Sequence, residues 1–302
     1  MTRLTRRNFL SASGAACSAA LFSRAAFAQP REDDPLPLRF AVKYGMVKTE
    51  GSMLTRFQLL KKLGFDGVEL DSPNAYAAGE AVAASRASGL PIHGVVDSIH
   101  WQERLSHPDE ETRERGVAGL LGALRHAKEY GGSSVLLVPG RVNGLAESQQ
   151  QVWDRSIAGI RRCLPTAAEL GIHILIENVW NGFCYEHEGG DDQGAEQLRD
   201  YIDAFASPWV GSYFDIGNHR KYGRPERWIR TLGRRIVKLD VKDWSKDGGW
   251  AKIGAGDIDW PAVRAALADI RYTGWATAEV GGGERERLAE IKERMDRVLR
   301  DA

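Results

Sequence analysis

Residues 172–180, IHILIENVW, decide how the chain is read. Ile172, Ile174 and Ile176 alternate with His173, Leu175 and Glu177, so the run is apolar on both faces until Glu177 and Asn178 interrupt it. That is the pattern of a strand buried within a parallel sheet. A carboxylate at the end of such a strand needs a partner. Three later runs end alike: 209–215 (WVGSYFD), 235–240 (RIVKLD) and 274–279 (GWATAE). If these are neighbouring parallel strands, Glu177, Asp215, Asp240 and Glu279 converge on one mouth, where so many acids are tolerable only around a cation.

Working outward, strand-like runs at 39–44, 67–70, 91–96 and 133–138 precede this group. Helical periodicity fills the intervals, at 53–63, 79–88, 110–130, 148–170, 196–205, 225–232, 260–269 and 284–299. Eight strands alternating with eight helices, without a second apolar core, predict a single-domain (β/α)8 TIM barrel over residues 38–302. A doubly wound open sheet fits less well, because no G-x-G-x-x-G follows the first strand. The longest connection is a Gly-rich loop at 243–256 carrying Trp244, Trp250 and Lys252, a candidate lid.

Residues 1–28 read as an export signal. Thr5, Arg6, Arg7, Asn8, Phe9 and Leu10 form a twin-arginine pattern, and Ala26, Phe27 and Ala28 a small-x-small cleavage site. This predicts a passing partnership with the twin-arginine translocase and a periplasmic mature protein, tethered by the polar, Pro-rich residues 29–37. No later run is apolar enough to span a bilayer. Loss of the signal removes Arg3, Arg6, Arg7 and Arg24 but no acid, so a chain with 41 basic and 41 acidic residues becomes acidic by four. That argues against a nucleic-acid partner. Cys163 and Cys184 form no recognisable disulfide framework and are expected as free thiols. A homo-oligomer is compatible with the sequence.

The segments IENVWN (176–181), YFDIGN (213–218), KLDVKD (238–243) and GWATAE (274–279) resemble the xylose isomerase-like barrel superfamily of sugar (phosphate) isomerases and epimerases. The likeness covers essentially the whole mature chain. It implies one divalent metal ion held by Glu177, Asp215, the residue at Asp240, and Glu279, with Glu177 and Glu279 as the catalytic acid and base. The third position departs from the family, which usually has histidine there. An all-oxygen set of four carboxylates suits Mn²⁺ or Mg²⁺ better than Zn²⁺. Lys238 and Lys242, two residues either side of Asp240, are expected to offset the surplus negative charge. Asn218 stands where the sugar epimerases contact substrate through histidine, Lys246 where they use arginine, and Phe183 where they carry a second glutamate.

Moving a proton beside a carbonyl needs a base, an acid and stabilisation of the enediolate between them. The expected activity is therefore metal-dependent isomerisation or epimerisation of a non-phosphorylated sugar in the periplasm. Expected substrate contacts are Glu69, His100, Trp101, Asn218, Lys242 and Lys246. His93 and His173 read as structural, His187 and His219 as either structural or functional, and Trp153, Trp209 and Trp228 as packing. Two alternatives use the same barrel: a lyase that eliminates the aglycone from a 3-keto-glycoside, and a non-catalytic sugar-binding protein. An endonuclease IV-like activity is disfavoured, since it needs a histidine-rich three-metal cluster and a basic groove.

Overall fold

A computed structural model of the protein describes residues 36–300. The expected export signal and most of the tether lie outside them. Eight parallel strands close into a barrel: β1 (Leu38–Lys43), β2 (Gly67–Ser72), β3 (Ile92–Asp97), β4 (Ser134–Leu137), β5 (His173–Glu177), β6 (Val210–Asp215), β7 (Ile236–Val241) and β10 (Gly274–Ala278). Around the barrel the order is β1-β10-β7-β6-β5-β4-β3-β2, so each strand lies beside its neighbours in sequence. Eight helices connect them: α1 (Met53–Lys62), α2 (Ala78–Ser88), α3 (Glu110–Tyr130), α4 (Gln149–Leu170), α5 (Glu196–Asp203), α6 (Pro225–Leu232), α7 (Trp260–Asp269) and α8 (Arg285–Leu299). The predicted fold is the observed one, with boundaries shifted by a residue or two at strand and helix ends. Ser148, expected as the first residue of α4, instead caps it: its hydroxyl accepts from the Gln151 amide while the Gln151 side chain accepts from the Ser148 amide.

The outer face of the barrel wall packs against the helix layer. Phe57, Leu60, Leu124, Ile160, Trp228 and Ile229 are fully buried there, each contributing roughly 1.5–3 kcal/mol by leaving water. The barrel interior holds a small apolar cluster of Leu136, Leu175 and Tyr213 beside a polar chain that spans the barrel. Tyr213 Oη lies 2.9 Å from Thr277 Oγ1, which in turn lies 3.2 Å from His93 Nε2, and Lys238 Nζ donates to the His93 carbonyl at 2.6 Å. Gly94 makes this crossing feasible. A Cβ there would come within 2.8 Å of Lys238 Nζ and 3.0 Å of the Ser134 carbonyl.

The connection after β7, expected to be a loop, folds into an antiparallel hairpin of β8 (Asp243–Ser245) and β9 (Gly249–Ala251). Strands of three residues are too short to leave a periodic signature. The hairpin base is tied down by Asp243, whose carboxylate accepts from the Trp244 amide (2.9 Å), the Gly254 amide (2.8 Å) and Trp260 Nε1 (3.0 Å). Cys163 and Cys184 are buried free thiols, and no helix among the described residues is long and apolar enough to cross a membrane.

Asp97, at the end of β3, faces outward against α3 and is 2% exposed. Burial pushes its carboxyl up to about 7, and the Ile99 amide at 3.4 Å offsets this only weakly. An acid whose folded-state pKa is raised leaves the fold at full stability below about pH 4 and costs stability as the pH rises through 7, by up to about 4 kcal/mol. Asp97→Asn is therefore expected to melt higher than the wild type at pH 8 and close to it at pH 4. Melting curves that run parallel across this range would show that Asp97 is not the buried acid described here.

Candidate active site

Glu177 and Asp215 are the last residues of β5 and β6, Asp240 is the penultimate residue of β7, and Glu279 directly follows β10. These four strands are consecutive in the barrel wall. Strand alternation turns the acids inward above Leu175, Tyr213, Lys238 and Thr277 respectively. One carboxylate oxygen from each of the four lies within 4.8 Å of the others. Asp215 and Asp240 are fully buried, Glu177 is 7% exposed, and the Glu279 side chain is 31% exposed.

Two ammonium groups enter the cluster. Lys43, the last residue of β1, places Nζ 2.9 Å from Asp240 Oδ2, 3.2 Å from Glu279 Oε1 and 3.7 Å from Glu69 Oε2. Lys242 Nζ lies 2.9 Å from Asp215 Oδ2 and 2.5 Å from Glu279 Oε2. Lys43 was not foreseen. Its signal was present all the same, since the first strand, like the last four, ends its apolar run in a charge. Lys238, expected beside Lys242 as a counter-charge, sits one layer lower and turns toward His93, because its position on β7 is below that of Asp240.

Four carboxylates and two ammonium groups leave a surplus of two negative charges in a buried space. Without a cation, protons must cover that surplus. Burial, reinforced by Glu279, pushes Glu177 up to about 8, burial raises Asp215 to about 6, and burial drives Asp240 well above the usual carboxylate range. Glu279 goes the other way: burial would raise it, but Lys43 and Lys242 outweigh burial and hold it at about 2. Asp215 Oδ2, both Asp240 oxygens and Glu279 Oε2 accept no well-directed hydrogen bond, although a lysine lies close to three of these four atoms. The ammonium groups stand at ion-pair distance from those three atoms. Convergent free lone pairs, an all-oxygen donor set and a deficit of two charges fit one hard divalent cation.

Two asparagines fix the strand ends. Asn178 Nδ2 donates to the Asp215 carbonyl (2.9 Å), and its Oδ1 accepts from the Asp215 amide (2.8 Å). Asn218 donates through its amide to Asp215 Oδ1 (2.6 Å) and through Nδ2 to Glu177 Oε1 (3.2 Å), and its Oδ1 accepts from Lys242 Nζ (3.2 Å). His219, buried and held neutral with its pKa pushed down to about 3, sits 3.0 Å behind Asn178. Glu69 is buried beneath Lys43 and is positioned to act through it.

A cavity of about 460 Å³ opens above the cluster. Glu177, Glu279, Lys43 and Lys242 line its floor, while Asp215 and Asp240 lie below it. Of the other predicted contacts, His100, Trp101 and Asn218 line the walls, joined by Trp180 and Trp250. The His100 ring is buried and neutral, its pKa lowered to about 3, with Nδ1 accepting from the Val138 amide at 3.3 Å. Lys246 is not brought to this cavity: its ammonium pairs with Asp191 at 2.7 Å, and its side chain is half-exposed. Phe183 packs against Trp153 and Tyr201. His93 is buried in the barrel interior and stacks on Trp275, whereas His173 lies beside Trp209 at the opposite end of β5 from Glu177.

The chain is similar to L-ribulose-5-phosphate 3-epimerase UlaE of Escherichia coli O1:K1, with 23% identity over 235 residues, covering 73% of this chain and 79% of the relative. Among solved structures it resembles a D-tagatose 3-epimerase-like protein (TM-score 0.72, 20% identity, covering 87% of this chain and 97% of that one). It also resembles the 3-keto-D-glucoside 4-epimerase YcjR of E. coli (TM-score 0.70, 16% identity, covering 86% and 98%). With residues 57–302 matching the family model of that description, the chain belongs to the xylose isomerase-like TIM barrel family.

Proposed function

We propose that the protein is a metal-dependent sugar epimerase or isomerase that moves a proton on the carbon beside a carbonyl, through an enediolate. The observation that carries this reading is the division of labour among the four acids. Glu177 and Glu279, on β5 and β10, flank the other two and line the cavity, while Asp215 and Asp240 lie beneath its floor. A sugar seated over the floor meets one glutamate on each side, one to take the proton and one to return it. A divalent cation held by Glu177, Asp215, Asp240 and Glu279, with Mn²⁺ or Mg²⁺ suited to the donors, supplies several kcal/mol of charge stabilisation to the enediolate. Asn218 fixes the Glu177 carboxylate, and Lys43 and Lys242 hold Glu279 from two sides.

The substrate in this reading carries no phosphate. Lys43 and Lys242, the two cations lining the cavity, are both engaged by carboxylates, so nothing there is free to receive an added dianion. A neutral sugar also accords with the export expected from residues 1–28, and we assign the mature protein to the periplasm on that ground.

Two outcomes test the reading. Saturating Mn²⁺, at about 100 times its Kd, should stabilise the protein by about 2.7 kcal/mol, seen as a rise in Tm that Asp215→Asn removes. A wild-type Tm indifferent to every divalent cation would remove the metal from the site. With a panel of free ketoses and keto-glycosides in D2O, NMR should show deuterium entering at the carbon beside the carbonyl. Glu177→Gln and Glu279→Gln should each slow that exchange by about 10²- to 10⁴-fold. Exchange that survives both substitutions would sink the assignment.

A further inference from the structure

Three large apolar side chains are exposed among the described residues: Leu145, Trp250 (53%) and Trp101 (40%). Both tryptophans line the cavity above the carboxylates. They come from separate elements, Trp101 from the β3–α3 connection and Trp250 from β9. Each is steadied by a second ring. Trp101 meets His100 edge-on at 5.6 Å, and Trp250 stacks on Trp180 with centroids 4.8 Å apart and planes 13° from parallel. Leaving two tryptophans partly in water beside one cavity is unfavourable unless something apolar covers them.

The space also extends beyond the floor. Trp180 borders a second cavity of about 770 Å³, and Trp250 a third of about 480 Å³, so the stacked pair stands where three cavities meet. A single ring over Glu177 and Glu279 occupies only the first. The cations of the third are engaged, Lys252 and Arg287 by Glu290 at 2.7 and 2.8 Å, and Lys242 by Asp215 and Glu279. The outer space therefore offers the aromatic faces of Trp180 and Trp250, with Arg141 and Glu186 among the residues lining the second cavity. A pyranose ring, with an apolar C–H face and a neutral hydroxyl rim, matches those properties.

We infer that Trp250 and Trp101 form an outer subsite for a second ring, so that the substrate is a neutral glycoside rather than a free monosaccharide. The inference rests on the reading that the reacting ring lies over Glu177 and Glu279, and it adds what the rest of the molecule does. Trp250 is also coupled to the floor, since Lys242 Nζ lies 5.1 Å from its ring centroid. A ring on Trp250 would thus be registered beside the ammonium that holds Asp215 and Glu279.

Calorimetric titration of the intact protein with D-glucose, cellobiose and maltose tests this. At least one disaccharide should bind about tenfold more tightly than D-glucose. Trp250→Ala and Trp101→Ala should each remove most of that advantage. If Trp250→Ala displaces the hairpin and lowers Tm, Trp101→Ala, in a different loop, still decides the point. Equal affinities for one and two rings, or an advantage that outlasts both substitutions, would overturn the subsite. Deuterium exchange measured on the same samples separates the two readings. Exchange without a tryptophan-dependent preference leaves the epimerase and removes the subsite, and tryptophan-dependent binding without exchange does the reverse.

Discussion

The structure depends on four carboxylates and two ammonium groups enclosed at one end of a barrel. At roughly 3 Å and an effective dielectric near 20, each lysine–carboxylate contact is worth about 5 kcal/mol of attraction. Desolvation costs several kcal/mol per ion, so the contacts roughly offset it for the charges they pair. They do nothing for the two negative charges left over. Geometry alone determines whether that remainder is relieved by scattered protons or by one cation, and the geometry is specific: β5, β6, β7 and β10 are consecutive in the wall, so four strand ends point at one volume. Asn178 and Asn218 bond the ends of β5 and β6 together, so the acids cannot relax apart.

Asp240 shows how a change at one position is accommodated. Where the family usually has a neutral histidine, this chain has a buried acid, which carries its full charge only when a divalent cation joins Lys43 beside it. Lys43 lies 2.9 Å from it on the other side of β10, so the Asp240–Lys43 pair is neutral, as a histidine would be. Glu69 supports Lys43 from below, and Lys238 sits beneath with His93. The buried polar layer inside the barrel is thus an extension of the site. It occupies positions that Val, Ile and Leu commonly fill in such barrels, because the charges above need a foundation that can answer them.

The acids were legible because each interrupts a buried apolar run, and the helices because their periodicity and caps are local. Lys43 was harder to see: a lysine at a strand end ordinarily extends to solvent along its aliphatic stem, and only the closed barrel brings β1 against β10. Lys238 and Lys242 look equivalent about Asp240 in sequence, yet lie in different layers. Lys246 holds its register in the motif, but the hairpin that begins at Asp243 carries it toward Asp191. That hairpin left no periodic trace. The stacking of Trp250 on Trp180 joins residues seventy positions apart, and no local pattern could announce it.

In the proposed reading, chemistry and recognition are carried by different parts of the molecule. The proton-moving groups sit on strands, fixed by ladder hydrogen bonds and a rigid polar base, and tolerate little displacement. The aromatic walls sit on connections: Trp101 after β3, Trp180 after β5, Trp250 on the hairpin after β7. Changing a loop replaces a wall without disturbing the floor, so one barrel can apply the same proton transfer to differently sized sugars. In this chain the loops present apolar faces, and every cation nearest the floor is already engaged. On that reading both features disfavour a small charged sugar and favour a larger neutral one, while the two glutamates stand at strand ends, Glu177 closing β5 and Glu279 following β10.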